Sequence, residues 1–442
     1  MKKNVGFIFA VVGLLTISLS LGAQQGLRRG IGSPVKALGP GPKGTGVQPA
    51  NSISQYPTST TLGYRGVVAA DVNIANDVTN IDEFVCDFGT VGIWVMEGSS
   101  NSYDNTWNLI TGVNPEWIMS VKFLNDGSEA IIGDFGALGL WKWTYNGYPG
   151  NWVQLSGVNP DAGFAVDDDG DGLQELQVDF GSLGIWRYDD NGGGAATWNQ
   201  YSGLNPTSGT RMATAPPASD QGAWSFSSVG VWRLWWSSGP NYAQLTGVPI
   251  AGNDDASGKF LGGSGEDLVL DFGALGLWLL KNDTAAEWHQ IIPQQTAFAR
   301  TVKFAGSAND MLLFVYQSTP GLNVWNYSNF PGTITNIQTV SPDSDGAVEP
   351  FDPDVATSTD TDDELAVDMG TEGLWLFDSA TAGWAQLNVN NPVFMVRGNF
   401  WTDATNTTLI VNFGMQGLWL YDGAYDVWWP ISPLSPDSNY GF

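Results

Sequence analysis

The densest set of residues able to do chemistry is Asp167-Asp168-Asp169-Gly170-Asp171-Gly172-Leu173-Gln174-Glu175. Carboxylates stand at its first, third, fifth and ninth positions, with glycine at the sixth. Ca2+ takes about six to eight hard oxygen ligands. Alternating carboxylates, one main-chain carbonyl and a final acid can wrap such an ion. Without a cation, so many like charges repel one another. The loop therefore reads as a Ca2+ site, with a solvated acidic turn as the alternative. Other chemistries find little material. Cys86 is the single cysteine and His289 the single histidine, which excludes an internal disulfide and a Cys/His zinc cluster. A Ser-His-Asp triad would rest on His289 alone. No unrepeated pair of acids marks an acid/base site, so no catalytic residue is assigned and the chain is read as non-enzymatic.

The elements that position this loop are repeated. Trp94, Trp141, Trp186, Trp232, Trp278, Trp325, Trp375 and Trp419 recur at spacings of 44 to 50 residues. The fullest copies before them read Asp134-Phe135-Gly136-Ala137-Leu138-Gly139-Leu140-Trp141 and Asp271-Phe272-Gly273-Ala274-Leu275-Gly276-Leu277-Trp278. Asn412 replaces the Asp in the last copy, and the fourth and sixth copies are eroded. A second signature follows each, as in Trp152-Val153-Gln154-Leu155 and Trp384-Ala385-Gln386-Leu387. Each unit reads as four short strands; in the third these fall at 163–166, 176–180, 184–188 and 197–201. Gly-x-x-Gly makes the turn between strands two and three, because glycine takes positive φ freely. The spacing predicts an all-β fold, an eight-bladed β-propeller of four-stranded antiparallel blades over residues 64–442. A β-solenoid is the runner-up architecture.

The start of the chain is different. Lys2 and Lys3, an apolar run over 5–21, and Gly22-Ala23 have the layout of a secretory signal peptide over 1–23, with a membrane helix as the alternative. Residues 24–63 are rich in Gly, Pro, Ser and Thr and read as a disordered tether. The chain carries a formal charge of −28, and no acid precedes residue 64. So acidic a propeller argues against nucleic acid and anionic membranes as partners. No later apolar segment approaches the length of a membrane span, so membrane insertion is not expected. The expected location is secreted: extracellular, cell surface or periplasm.

A residue that recurs in every unit is scaffold. The repeated Asp is expected to accept N–H bonds from the glycine turn, and the repeated Phe and Trp to fill the spaces between blades. Trp235-Trp236 and Trp428-Trp429 have sugar stacking as their alternative to packing. Departures from the repeat are more telling. Lys122 and Lys259 occupy the offset before their Trp that Asp167 occupies before Trp186. Acids follow at Glu129 and Asp267, and Lys303 and Asp310 make a similar pair. In one reading these ammonium groups replace Ca2+ and pair with the remaining acid. In the other, Lys122, Lys259, Lys303 and Arg397, with Arg65, Arg211 and Arg300, line an axial anion pocket for a uronate, sialate or phosphate. Distorted metal sites are also considered around Asp71, Asn73, Asp82 and Glu83, and around Asp352, Asp354, Asp360, Asp362 and Glu364.

Asp-x-Asp-x-Asp-Gly-x-x-Glu running into Leu176-Gln177-Val178-Asp179-Phe180-Gly181 resembles the FG-GAP/VCBS type of repeat. The resemblance implies an extracellular propeller with structural Ca2+, held by Asp167, Asp169, Asp171, the Leu173 carbonyl and Glu175. It also implies a surface that binds a glycan or an extracellular protein. The Trp-rich elements resemble lectin-like propellers more weakly. Three functions follow for test: a secreted binding or adhesion propeller, a structural surface or matrix protein, and a carbohydrate-active hydrolase or lyase.

Overall fold

The computed structural model describes residues 67–72, 83–97 and 106–436, apart from 127, 213–219, 252–254, 263–264, 282–286, 344–347, 352–363, 399, 401–407 and 424–425. The expected leader and tether lie outside the described residues. The described chain forms eight four-stranded antiparallel sheets, each built from four consecutive strands. They are the blades of a β-propeller, spanning 67–111, 117–156, 162–202, 208–246, 256–292, 296–338, 348–388 and 394–432. Blade 3 consists of Ala162–Val166, Glu175–Asp179, Ile185–Asp189 and Thr197–Ser202, within a residue or so of the expected strands.

The ring closes without strand exchange. The first strand of blade 1, Val67–Val72, packs beside Trp117–Val121 on one side and Phe394–Gly398 on the other. Phe84, Cys86 and Met96 of blade 1 share a buried cluster with Phe394, Phe400, Ile410 and Leu420 of blade 8. A single sheet exposes two apolar faces, so each blade must bury its faces against its neighbours.

The repeated signature is explained by its turn. Asp134 Oδ1 accepts the Gly136 N–H at 3.0 Å. Gly136 and Gly139 have φ of 58° and 77°. A Cβ on Gly139 would also collide with the Ser156 carbonyl. Asp87, Asp179, Asp271, Asp368 and Asn412 repeat the carboxylate or amide bond to the turn. Trp141 Nε1 then donates to Leu138 O at 2.8 Å, and Gln154 Nε2 donates to the same carbonyl at 2.9 Å. The two signatures thus meet on one atom.

The Trp of the second signature joins blades. Trp152 Nε1 donates to Ile110 O of the preceding blade at 3.0 Å. Trp198, Trp288 and Trp384 reach Leu155, Leu245 and Ile337 in the same way. Trp107 reaches Ile431 at 2.9 Å and so bolts the first blade to the last. The eroded blades place an exposed Tyr242 and an exposed Ile334 at this position.

One alignment needs correction. Asn323, paired with Asn336, holds the register that Trp278 holds opposite Gln290. Trp325 sits two residues further on, opposite Ile334, where blade 2 has Trp143 opposite Trp152. Trp325 and Trp143 are both buried and donate to Pro331 O and Pro149 O, each at 2.7 Å. The blade 6 marker is therefore Asn323.

Candidate metal centre

In four blades the chain leaving the first strand plugs the space beside the next blade with a phenylalanine. Phe123, Phe260, Phe304 and Phe400 each lie two residues past the end of that strand, and all are buried. In blade 3 this position is Asp168, which is 0% exposed. A buried carboxylate is costly unless paired and hydrogen-bonded. Asp168 is both. Its Oδ1 accepts from Arg187 Nε at 2.7 Å, and its Oδ2 accepts from Tyr201 Oη at 2.6 Å and Gln177 Nε2 at 3.0 Å. Its carbonyl accepts the Trp236 N–H of blade 4 at 3.0 Å.

The loop folds around its own carboxylates. Asp167 accepts the N–H groups of Gly170 and Gly172, and Asp171 accepts that of Leu173. Positive φ at Gly170 and Gly172, 79° and 90°, makes the bend. The result brings oxygens of Asp167, Asp169 and Glu175 within 4.8 Å of one another. Asp171 is not part of this triad; its Oδ1 accepts the Leu173 N–H. Glu175 is buried, Asp167 half-buried and Asp169 exposed, so the triad opens to solvent on one side. The donor set is all carboxylate oxygen, which suits a hard cation and not zinc. The residues present fit such an ion.

The electrostatics point the same way. Burial, then the neighbouring Asp168, push the Glu175 carboxyl up to about 10. Burial also raises Asp167 and Asp169 above the ordinary carboxylate range. Neighbouring carboxylates add to the effect of burial at each of them, and Arg187 opposes it at Asp169 and Glu175. Among the described residues the cation paired with them is Arg187, 1% exposed, with Nη2 2.7 Å from Asp169 and 3.4 Å from Glu175, and Nη1 2.7 Å from Asp189. Its guanidinium lies 4.8 Å from the centre of the Trp236 ring.

Arg187 and Asp189 were not singled out in the sequence, Asp168 stood in the loop without a role of its own, and Trp236 was read only as a packing or sugar-stacking residue. For Asp168 and Arg187 the signal was a mismatch between columns: Asp168 where four other units have Phe, and Arg187 where five have Val or Leu.

The other expected residues fall elsewhere. Lys122 is exposed and contributes its main chain: its N–H donates to Gln174 Oε1 and its carbonyl accepts the Gln174 N–H, both at 2.9 Å. Lys259, also exposed, makes the same latch to Asp310 of blade 6, with N–H to Oδ2 at 2.6 Å. Asp267 accepts the Leu261 N–H at 3.0 Å. The acids near Lys259 are thus engaged by backbone N–H, Asp310 by that of Lys259 itself and Asp267 by that of Leu261. Lys303 is half-buried just before the Phe304 plug. Arg397 and Arg300 flank Glu349, at 3.8 and 2.9 Å, on the first strands of three consecutive blades. Arg211 pairs with Asp220 at 2.6 Å. Arg65 lies outside the described residues.

In blades 1 and 7, Glu83 and Glu364 are buried at the register of Glu175. The remaining candidate ligands there, except Asp71 in the first strand, lie outside the described residues. His289 stacks on Phe330, 3.6 Å between ring centres, with Nε2 3.6 Å from Glu287.

An all-β propeller with a solvent-open carboxylate triad is the class that fold and site define. No protein-family model matches the chain, and no curated protein matches it. Among solved structures it is similar to Sqt1 of Saccharomyces cerevisiae, at 10% identity over 82% of this chain and 96% of that one, with a TM-score of 0.48. It is similar to BBS1N in complex with ARL6DN at 10% identity over 88% and 96%, TM-score 0.42. It is also similar to AofleA from Arthrobotrys oligospora at 10% identity over 67% and 96%, TM-score 0.35. These are likenesses of fold alone.

Proposed function

We propose that this chain is a secreted, non-enzymatic binding propeller of the FG-GAP/VCBS type, with Ca2+ in the blade 3 loop and a glycan or extracellular protein as ligand. The observation that carries the metal part is the gathering of Asp167, Asp169 and Glu175 within 4.8 Å. The Leu173 carbonyl is the further ligand implied by the repeat, and Asp171 supports the loop through its bond to the Leu173 N–H. Ca2+ is favoured over Mg2+ because the oxygens come from a partly exposed loop and not from a tight octahedral cage. Secretion rests on the leader at 1–23. The non-enzymatic reading is supported by the setting of His289, whose ring is packed flat on Phe330.

Calorimetric titration with Ca2+ tests the metal reading, with Asp169→Asn and Glu175→Gln expected to abolish binding. Heat of binding that survives both substitutions refutes it. A glycan array run with and without EDTA tests the ligand reading. Binding that needs Ca2+ supports it; silence on both arms moves the assignment to a structural spacer.

A further inference from the structure

We infer that Arg187 is the resident counter-cation of the blade 3 loop and competes with the divalent ion for Asp169 and Glu175, so that it sets how tightly the ion is held. The inference rests on the metal reading above.

Two of the three triad carboxylates are already claimed by one guanidinium nitrogen, Nη2. The third, Asp167, is oriented by the loop N–H groups of Gly170 and Gly172. Arg187 is also anchored independently of the triad. Nε is held by Asp168 and Nη1 by Asp189, each at 2.7 Å, and its face lies on Trp236. An arriving ion can therefore draw Asp169 and Glu175 away without stranding the guanidinium. The cost is electrostatic: a fixed positive charge beside a divalent site opposes it. A divalent ion carries the charge to displace that contact, whereas a monovalent one matches it at best.

The propeller itself does not require a cation at this register. Blades 1, 5, 6, 7 and 8 carry Val95, Leu279, Val324, Leu376 and Leu420 there. Blades 2 and 4 carry Lys142 and Arg233, which are directed elsewhere: Lys142 to Asp190 of blade 3 at 2.6 Å, and Arg233 over Trp235 at 5.2 Å. Arg187 turns into the acidic loop of its own blade. The cation and the loop occur together, in the one blade where Asp168 displaces the Phe plug.

The experiment is a Ca2+ titration by calorimetry on the full chain, with melting temperature as a second readout. Four proteins are compared: wild type, Arg187→Gln, Arg187→Lys, and the double variant Asp168→Phe/Arg187→Leu. The double variant installs the Phe260 and Leu279 pair of blade 5, removing the cation without leaving a buried acid unpaired. The Gln variant is expected to bind Ca2+ about tenfold or more tightly than wild type, and the double variant, which also loses the Asp168 charge, more tightly by a smaller factor. The Lys variant keeps the charge and should stay near wild type. Ca2+ should raise the melting temperature of the Gln variant by more than that of wild type. If the Gln variant does not fold, the double variant carries the comparison. Equal or weaker Ca2+ binding in the charge-free variants overturns the role of Arg187 and leaves the metal reading standing. Absence of Ca2+ binding in all four proteins overturns the metal reading, and the inference with it.

Discussion

The seam after blade 5 and the seam after blade 3 fill the same space with opposite chemistry. After blade 5, Phe260 is buried edge-on to Trp325 of blade 6, ring centres 6.2 Å apart, with Leu279 in the same buried cluster. After blade 3, Asp168 and Arg187 take the places of Phe260 and Leu279, and Trp236 of blade 4 covers the guanidinium. Burying a Phe contributes about 1.5–3 kcal/mol and asks nothing of its neighbours. A buried ion pair roughly breaks even at best, and only when every polar atom finds a partner. Blade 3 meets that condition with Tyr201, Gln177, Asp189 and two main-chain bonds. A repeat gives up an apolar plug for such a network where something other than stability is at stake, and here that something adjoins the carboxylate triad.

The sharpest way to break the comparison is to unbalance the charged seam. Arg187→Leu leaves Asp168 buried without its cation and is expected to cost about 3–5 kcal/mol in the absence of Ca2+. Urea denaturation reads this as a lowered midpoint; an unchanged midpoint would mean that the seam tolerates an unpaired acid. Completing the exchange with Asp168→Phe should recover that loss. It should leave the protein between neutral and about 1–4 kcal/mol more stable than wild type, as buried pairs replaced by apolar residues often do. Failure to recover would show that the two seams are not interchangeable in shape. A smaller effect concerns the bolts of the other seams, which these two lack, Tyr242 and Ile334 standing at that position. Trp152→Phe keeps the ring against Phe135 but loses the bond to Ile110 O, at about 0.5–1.5 kcal/mol. The same measurement checks it.

The repeat was legible because its residues do the same local work in each blade. Asp, two glycines, Trp and Gln all act on one turn, so their spacing survives as a pattern. Where blade 6 puts Asn323 in the Trp column, matching Trp to Trp slid the register by two residues. The bulge between Leu322 and Asn323, which fixes the true register, has no sequence mark. The triad was legible for the same reason as the turn, since its residues are close in sequence. Arg187 was not, because its partners lie up to 19 residues away on another strand and, for Trp236, on another blade. The latch that the peptide bonds of Lys122 and Lys259 make to the next blade has no sequence mark, since any residue but proline supplies those groups.

The smallest expected effect separates the shared turn from the special loop by pH. Burial pushes Asp179 up to about 7 and Asp271 up to about 6, against the Gly181 and Gly273 N–H bonds that pull the other way. In the unfolded chain both titrate near about 3.9. Between these values the folded state holds more protons than the unfolded one, so stability falls as pH rises. The contribution is complete below about pH 4 and is lost as pH rises through 6 to 7. Blade 8 shows that titration is not needed for the turn, since Asn412 accepts the Gly414 N–H at 3.0 Å and donates to Ser435 at 2.9 Å. The double variant Asp179→Asn/Asp271→Asn should therefore fold, and its melting temperature should fall less than that of wild type between pH 5 and pH 8. The general repulsion of a chain at −28 acts on both proteins alike. The difference between their slopes isolates the turn carboxylates, and identical slopes would mean that these acids are already ionised in the folded ring.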